Sequence, residues 1–220
     1  MNQNYYKEFE KQIDSIAKEA SKPKLLLQAC CAPCSSACLE KLEKYFDIAV
    51  YFYNPNIDDR EEYVKRLDEL VRLTDEAEFA KEVKVIDGDW EPELFFEMAK
   101  GRESLPERGE RCYDCYKLRM KKTAEFALKN GYDYFSTTLS ISPYKNSEWI
   151  NEIGMELESS MRQASPEDEN TVPVFLFSDF KKKDGYKRSI QLSREYGLYR
   201  QNYCGCIFSR RDSSSETENS

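Results

Sequence analysis

The cysteines are the residues of this chain whose type and spacing predict chemistry. There are eight of them and no histidine. Cys38 stands apart, and the other seven form three tight clusters: Cys30, Cys31 and Cys34, then Cys112 and Cys115, and finally Cys204 and Cys206. Thiolate ligands without imidazole favour iron–sulfur clusters, zinc or copper(I). Because clusters so far apart in sequence can meet only through folding, they predict one shared site.

The spacing of the cysteines argues against a secreted, disulfide-stabilised protein. The chain has 220 residues, which is long for a disulfide scaffold, and a bridge between the adjacent Cys30 and Cys31 would close a strained ring. Residues 1–20 are polar and amphipathic, unlike a signal peptide, and no stretch approaches the roughly 18 apolar residues of a membrane span. We therefore expect a cytoplasmic protein without a membrane partner, whose thiols are ligands or redox groups.

Two of the clusters lie at predicted helix N-termini. Cys30, Cys31 and Cys34 stand at a strand-to-helix turn, and Cys112 and Cys115 share one face of the first turn of another helix. Backbone amides and the helix dipole lower the pKa of a thiol at such positions. Two cysteines from each turn would supply the four ligands of a 4Fe–4S cluster. A closed zinc site is the alternative, although adjacent cysteines are unusual for zinc and three cysteines would be left over.

The third cluster and the lone cysteine need separate interpretations. A pair such as Cys204 and Cys206 can form a strained, easily reduced disulfide or hold one metal with both thiolates, and it can also be incidental. Cys38 shares an apolar stripe with Leu42 and Tyr45. We expect it to be a small buried hydrophobic residue outside the site.

Several catalytic classes are excluded by what the sequence lacks. Without histidine there is no Ser-His-Asp triad, Cys-His pair or histidine-ligated haem. The turn after the first predicted strand reads CCAPCSS, unlike the SGGxDS type of phosphate loop in ATP-dependent tRNA thiolases, and no GxGxxG dinucleotide motif occurs. The predicted chemistry is therefore electron transfer rather than phosphate or hydride transfer.

Strand and helix patterns alternate along the chain. Short apolar runs predict strands at 24–29, 48–53, 82–86, 134–138 and 172–175. Apolar residues at helical spacing predict helices at 37–46, with Ser35 or Ser36 as N-cap, from Asp58 or Asp59 onward, and at 90–100, 112–130 and 148–160. The crossovers are long enough for parallel pairing. This order predicts an α/β fold with a Rossmann-like parallel sheet flanked by helices.

The predicted organisation is a single domain with two appendages. We expect an N-terminal helix within 1–22, one α/β domain at 23–208 with a small helical C-terminal extension, and a disordered tail at 209–220. Ligands of open parallel sheets bind at the carboxyl ends of strands near the topological switch point. Cys30 and Cys31 follow the first strand, and Thr137 and Thr138 end the fourth.

The charge of the chain is uneven. The formal net charge is −8, yet residues 179–211 contain nine basic and three acidic residues. This basic stretch includes Lys181, Lys182, Lys183, Lys187, Arg188, Arg194 and Arg200. It suits local contact with a folded RNA, and a solvated lysine-rich loop is the alternative. Tyr113, Tyr144 and Tyr203 lie in or beside polar segments, where they could stack on bases.

Five motifs match a known family in the same order. They are CCAPCSS, YFYNPNI, RCYDCYKLRM, FSTTLSISPYKN and REYGLYRQNYCGCIFS, and they extend from about residue 24 to 210. Together they resemble the QueH family of epoxyqueuosine reductases. The resemblance implies a HUP-type α/β fold, a 4Fe–4S cluster, a tRNA partner with epoxyqueuosine in its anticodon and a separate electron donor. It also implies a two-electron, two-proton reduction that removes the epoxide oxygen at the wobble position.

The resemblance also implies roles for individual cysteines. The expected cluster ligands are Cys30, Cys31, Cys112 and Cys115. Cys204 and Cys206 match a pair that is either redox-active or binds a second iron beside the cluster. Some family members have aspartate at the position of Cys34, and since either side chain can bind iron, this favours a metal role there.

Two mechanisms and two other functions stay open at this point. An iron with a free position could polarise the epoxide oxygen while the cluster supplies electrons, or the Cys204/Cys206 dithiol could donate both electrons. Candidate proton donors are Asp114, Tyr113 and Tyr144. The competing functions are a zinc-stabilised tRNA-binding module and a tRNA-thiolation enzyme that does not use ATP.

Overall fold

Five parallel strands form the centre of the molecule. The computed structural model describes residues 4–165, 167 and 171–210. The strands are β1 (Lys24–Gln28), β2 (Asp47–Phe52), β3 (Lys84–Asp87), β4 (Tyr134–Thr137) and β5 (Val174–Phe175). They pair in the order β3-β2-β1-β4-β5, and every pairing is parallel.

Helices connect the strands and flank the sheet. They are α1 (Tyr5–Ile16), α2 (Ala32–Leu42), α3 (Arg60–Glu76), α4 (Pro92–Ala99), α5 (Glu110–Lys129), α6 (Ser147–Ala164) and α7 (Gly185–Glu195). Short 3-10 turns lie at Glu78–Ala80 and Thr138–Ile141. The predicted α/β architecture, a Rossmann-like parallel sheet flanked by helices, is confirmed.

The apolar first strand separates two hydrophobic cores. Leu25, Leu26 and Leu27 have no solvent exposure. Successive side chains of a strand point to opposite faces of the sheet. Accordingly, Leu25 and Leu27 pack in the core beneath α1, α2 and α3, whereas Leu26 packs in the core that contains residues of α5 and α6. A run of buried apolar residues is expected for a strand that is covered on both faces.

The switch point of the sheet lies at the carboxyl end of β1. Strand β1 pairs with β2 on one side and β4 on the other, so the connections leave in opposite directions there. Gln28 marks this end of β1. Its amide nitrogen donates to the carbonyl of Tyr53 (3.0 Å), and its side-chain oxygen accepts from the Thr137 hydroxyl (2.7 Å). These buried bonds join the ends of three strands beneath the predicted site.

Helix α2 begins earlier than its pattern predicted. The expected start at residue 37 was wrong, because the helix already runs from Ala32 with Cys31 at the N-cap position and Pro33 in the first turn. Proline is favoured there because its missing N–H is one that the helix would leave unpaired. Ser35 and Ser36 therefore lie inside the helix, where their hydroxyls donate to backbone carbonyls of the preceding turn. Cys34 consequently lies on the first turn of α2.

The ends of the chain pack on the sheet scaffold. Phe9 and Ile13 of α1 belong to a hydrophobic core, and the side chain of Gln12 bonds to the backbone of Phe175 and Phe177, each at 2.9 Å. Helix α7 packs against α2 as part of the expected C-terminal extension. Within the predicted tail, 209–220, the structure describes only Ser209 and Arg210, which belong to a helical turn at 207–210. The rest of that segment lies outside the described residues, and the domain boundaries stay a prediction.

Among the residues that the structure describes, no helix combines the length and the apolar character needed to cross a bilayer.

Candidate metal centre

Three sulfur atoms lie together at the switch point. Cys30 and Cys31 follow β1, and Cys34 lies on the first turn of α2. Their sulfurs are all within 4.8 Å of one another, and those of Cys30 and Cys31 are 3.7 Å apart. Two thiolates on one metal ion are at most about 4.6 Å apart, given Zn–S bonds of about 2.3 Å; the Cys30–Cys31 separation is below this limit, and the 4.8 Å bound for the trio is only slightly above it. This trio, which we call the first thiol group, is therefore compact enough for a shared metal.

Hydrogen bonding distributes the charge within the first thiol group. Hydrogen bonds from Cys31 and Cys34 hold the pKa of the Cys30 thiol well below its ordinary value. The same bonding to Cys30 raises the pKa of Cys31 to about 12 and also raises the pKa of Cys34. Cys30 is therefore the first of the three to become a thiolate, and the other two stabilise it as donors.

The remaining clustered cysteines form a second thiol group. Cys112, Cys115, Cys204 and Cys206 line one narrow cavity. Cys112 and Cys115 come from the start of α5, which begins at Glu110 rather than at the predicted residue 112. The Cys112 sulfur accepts a hydrogen bond from the backbone N–H of Arg108 at 3.3 Å. Burial raises the pKa of Cys115 to about 12, so this thiol is neutral at pH 7 unless a metal binds it.

The backbone between Cys204 and Cys206 depends on a glycine. Gly205 has a φ of 123°, which lies in the region that favours glycine. A Cβ atom on this residue would lie 2.9 Å from a side-chain carbon of Ile57 and 3.2 Å from the guanidinium of Arg66. The close packing of Gly205 thus fixes how the two neighbouring thiols are presented.

Cys204 belongs to both parts of the site. Besides the narrow cavity, it lines an open cavity of about 460 Å³ together with Cys30, Cys31 and Cys34. The structure thus brings all seven clustered cysteines to one region, as the sequence predicted. It places the expected 4Fe–4S ligands in two adjacent groups, with Cys34 beside Cys30 and Cys31, and the Cys204/Cys206 pair beside Cys112 and Cys115. Cys38 is fully buried in the hydrophobic core, as expected.

Two buried arginines provide positive charge next to the thiols. Arg119 has no solvent exposure and donates to the side-chain oxygen of Asn54 at 2.7 Å. Its Nε and Nη1 atoms find no hydrogen-bond partner among the described residues, and its charge acts on Cys115 and Cys30. Arg66 pairs with Glu62 and donates to the backbone carbonyl of Cys204 at 3.1 Å. Such buried cations favour an anionic group in the space between them.

A buried lysine touches Cys204 directly. The Lys145 side chain is 9% exposed, and its Nζ atom lies 2.9 Å from the Cys204 sulfur and 3.9 Å from the Glu107 carboxylate. Burial is the largest single influence and would lower the pKa of this ammonium, but Cys204, Tyr116 and Glu107 together outweigh burial and raise it. Lys145 is thus a fixed positive charge at the boundary between the two cavities.

Sequence reasoning missed Lys145, Arg66 and Arg119. Lys145 lies in the loop after β4, at the carboxyl edge of the sheet, and that position could have indicated it. The two arginines occupy inward-facing positions of α3 and α5, where helical periodicity predicts only burial. Their partners are distant in sequence, so periodicity could not have found them.

The predicted proton donors separate into two classes. Asp114 forms an ion pair with Arg102, and Tyr113 packs edge-on against Trp149 with ring centroids 5.5 Å apart. Neither lines the open or the narrow cavity, whereas Tyr144 lines the open one.

The basic residues of the C-terminal stretch also lie in different environments. Lys181 pairs with Asp179, and Arg188 pairs with Glu40. Lys183 and Arg188 line a groove against α1 and α2, while Arg200 lines the open cavity. Contact of this stretch with RNA stays a prediction.

Comparison with known proteins identifies the family. The sequence model of the epoxyqueuosine reductase QueH family matches residues 25–212. The QueH proteins of Staphylococcus epidermidis and Streptococcus pyogenes are 40% and 36% identical to the chain, over 93% and 96% of its length and 84% and 81% of theirs. QueH of Thermotoga maritima is 34% identical over 87% of this chain and 94% of its own.

A solved structure shares the fold. One such structure is the U34-tRNA thiolase NcsA from Methanococcus maripaludis, solved with its [4Fe-4S] cluster. The superposition covers 98% of this chain and 73% of the thiolase chain, with a TM-score of 0.50. At 13% identity this likeness supports the fold alone. The family match and the identities of the QueH relatives carry the assignment, and they agree with the five sequence motifs. The chain belongs to the epoxyqueuosine reductase QueH family.

Proposed function

We propose that this protein reduces epoxyqueuosine at the wobble position of tRNA to queuosine. In this reaction both C–O bonds of the epoxide break, a carbon–carbon double bond forms, and two electrons and two protons convert the oxygen to water. Beyond family membership, one observation carries the proposal. Two adjacent thiol groups lie at the switch point of the sheet, and Cys204 of the second group lines the open cavity of about 460 Å³ together with the first group. A cavity of this size suits one extruded nucleoside.

The donor set fits the cofactor that the proposal requires. Cys30, Cys31, Cys112 and Cys115 would hold a 4Fe–4S cluster, and a second iron would take its ligands from Cys34, Cys204 and Cys206. When bound, the cluster supplies electrons and the second iron supplies a Lewis acid. A cluster held by four thiolates is anionic, which suits the unpaired buried donors of Arg119.

The protein's own residues prepare the site for negative charge. Lys145 holds its ammonium 2.9 Å from the Cys204 sulfur and reaches both cavities. Arg66 fixes the backbone of Cys204 from the side of α3. These two contacts place positive charge beside Cys204 and keep its sulfur at the wall of the open cavity. Tyr116 and Leu139 help to enclose this region and limit the entry of water.

The route of the electrons has two forms in this proposal. In the first, electrons from an external one-electron carrier would reach the substrate through a cluster held by Cys30, Cys31, Cys112 and Cys115. In the second, the Cys204/Cys206 dithiol gives up two electrons and two protons and becomes a disulfide, and the external carrier would return two electrons, with two protons from solvent, to restore the dithiol. All eight cysteines are free thiols in the structure.

A zinc-stabilised tRNA-binding module is the alternative to be tested, because closely spaced thiolates also bind zinc. The same cysteines would then hold a metal without redox chemistry. Metal content separates the two: protein purified without oxygen should contain iron and sulfide and show brown absorbance that dithionite bleaches. Stoichiometric zinc without iron would exclude the cluster.

The function is tested by expression in a bacterial strain that lacks its own epoxyqueuosine reductase. Nucleosides from the bulk tRNA of that strain should change from epoxyqueuosine to queuosine when this protein is present. Cys38→Ala is a matched control, because Cys38 is buried outside the site and should leave conversion intact. Cys31→Ala should not convert. Persistence of epoxyqueuosine although iron-loaded wild-type protein accumulates would contradict the proposal.

A further inference from the structure

An exposed aromatic ring stands at the open cavity. Tyr144 lines this cavity and is 57% exposed, the largest value among the large hydrophobic side chains of the described residues. The guanidinium carbon of Arg108 lies 4.9 Å from the centroid of its ring. An aromatic side chain offers a flat face for stacking, and a ring that lies in solvent at a cavity can meet the flat ring of an entering ligand.

The structure holds both residues of this pair in place. Arg108 has a φ of 68°, and its backbone N–H donates to the Cys112 sulfur. The loop that carries it, 101–109, is fastened by Arg111, which donates to the backbone carbonyls of Arg102, Glu103 and Leu105. Tyr144 directly precedes Lys145, whose ammonium contacts Cys204. The pair is therefore attached on both sides to the second thiol group.

The other candidate rings are already occupied. Tyr203 also lines the cavity, but the guanidinium carbons of Arg66 and Arg210 lie 5.3 and 5.0 Å from its ring centroid. Tyr113 packs edge-on against Trp149. Tyr144 has one such neighbour, Arg108, where Tyr203 has two, and it is 57% exposed. Of the three tyrosines that the sequence indicated, it alone combines a place at the cavity with a ring largely in solvent.

We propose that Tyr144 and Arg108 form a stacking platform for an unpaired nucleotide next to the modified base in the anticodon loop. This inference rests on the proposed function, since it assumes that one base of a single-stranded loop enters the cavity. When that base is extruded, its neighbour loses a stacking partner, and a tyrosine ring can replace it. The guanidinium behind the ring adds positive charge for the phosphates on either side.

The platform makes a quantitative prediction for RNA binding. Stacking of a base on an aromatic side chain contributes about 1–3 kcal/mol, so Tyr144→Ala should weaken binding by about 5- to 150-fold. The probe is an unmodified anticodon stem-loop with 2-aminopurine on the 3′ or the 5′ side of the wobble position, and binding is followed by anisotropy. Stacking should also quench the 2-aminopurine at one of these positions, and Tyr144→Ala should remove the quenching. Tyr144→Phe should retain both effects because it keeps the ring.

Three further variants sharpen the test. Phe96 is a matched control, because it is 45% exposed and lines neither the open nor the narrow cavity. Phe96→Ala should bind RNA as the wild type does. Arg108→Ala should weaken binding as well, and the double variant Arg108→Ala/Tyr144→Ala should lose less than the product of the single losses, because the two side chains act together.

The outcomes separate this inference from the proposed function. Equal affinity and equal quenching in the wild type and Tyr144→Ala would overturn the platform, whatever the protein does to epoxyqueuosine. Failure of the iron-loaded wild type to reduce epoxyqueuosine would overturn the proposed function, but it would leave the RNA-binding result to be judged separately. The metal content of Tyr144→Ala should equal that of the wild type, which shows that the variant acts on RNA rather than on the thiol groups.

Discussion

The ammonium of Lys145 lies 2.9 Å from the sulfur of Cys204, in a position that borders both cavities of the site. A buried ammonium is costly unless a partner accepts its hydrogen bond, and the Cys204 sulfur accepts one here. The contact therefore holds the Cys204 sulfur next to a positive charge, whether that sulfur acts toward a metal or as a redox group. It also links the loop after β4 to the C-terminal segment.

Replacing Lys145 should change the electrostatics of the site without loss of its bound iron. Lys145→Met keeps the length of the side chain but removes its charge, and a hydrogen bond to a charged group contributes about 1.5–3 kcal/mol. We expect kcat to fall about 10- to 150-fold with KM for tRNA little changed. The reduction potential of the iron sites should become more negative, because a nearby positive charge is lost. Lys145→Arg should restore part of kcat and part of the reduction potential, because it keeps the positive charge. An unchanged reduction potential in Lys145→Met would show that the lysine has only a structural role.

The four expected cluster ligands should be needed for iron binding. Alanine at Cys30, Cys31, Cys112 or Cys115 removes one of four thiolate bonds, and the remaining three hold a cluster poorly. Iron and sulfide should fall to background in each variant, and activity should be lost with them. Cys38→Ala should retain both, since Cys38 is a buried core residue. Full iron content in Cys112→Ala would mean that the ligands are assigned wrongly.

The Cys204/Cys206 pair should behave differently from those four. In Cys204→Ser and Cys206→Ser we expect most of the 4Fe–4S absorbance to persist while turnover stops, because four other thiolates can still hold the cluster. Absorbance spectra and tRNA nucleoside analysis measure the two properties. Normal turnover in either variant would make the pair structural. Loss of the cluster would instead make the second thiol group, rather than the predicted set, the cluster site.

How far the sequence could predict this site depends on the kind of contact. The sequence predicted strand β1 and the site at the turn after it, because a buried apolar run followed by cysteines is typical of a site at the carboxyl end of a parallel strand. The start of α2 was not predicted correctly, because this helix begins with Cys31 at the N-cap position and Pro33 in its first turn, without a side-chain cap. The Arg66–Cys204 contact joins residues 138 positions apart, and no local pattern encodes such a pairing.

A carboxylate on α3 should make the attachment of the C-terminal segment sensitive to pH. Glu69 accepts hydrogen bonds from Arg72 and from the Tyr199 N–H (2.6 Å), and its bonds to Arg72, more than the Tyr199 bond, lower the pKa of Glu69. The ionised Glu69 carboxylate therefore contributes its full stabilisation of the folded state above the ordinary glutamate pKa. This contribution is lost as the pH falls through the lowered pKa of Glu69 in the folded protein. Glu69→Gln should unfold more easily than the wild type by about 0.5–1 kcal/mol at pH 7, given the solvent screening of this partly exposed group.

Denaturant unfolding at several pH values measures this difference. The gap between Glu69→Gln and the wild type should close as both are taken below the pH at which Glu69 protonates. Asp68→Asn is a suitable control, because Asp68 is an exposed neighbour on the same helix. Faster hydrogen exchange of the Tyr199 amide in Glu69→Gln would locate the effect. A gap that is constant with pH would show that the carboxylate is not responsible.

The central claim is that the thiol groups at the switch point reduce an epoxide in tRNA. Its most direct test is incubation of anaerobically purified, iron-loaded protein with dithionite and an anticodon stem-loop that carries epoxyqueuosine, followed by mass spectrometry of the released nucleosides. We expect queuosine, lighter than its precursor by one oxygen atom, with two electrons consumed for each molecule formed and no product from Cys204→Ser. Unchanged epoxyqueuosine in the presence of fully reduced, iron-loaded wild-type protein would contradict it.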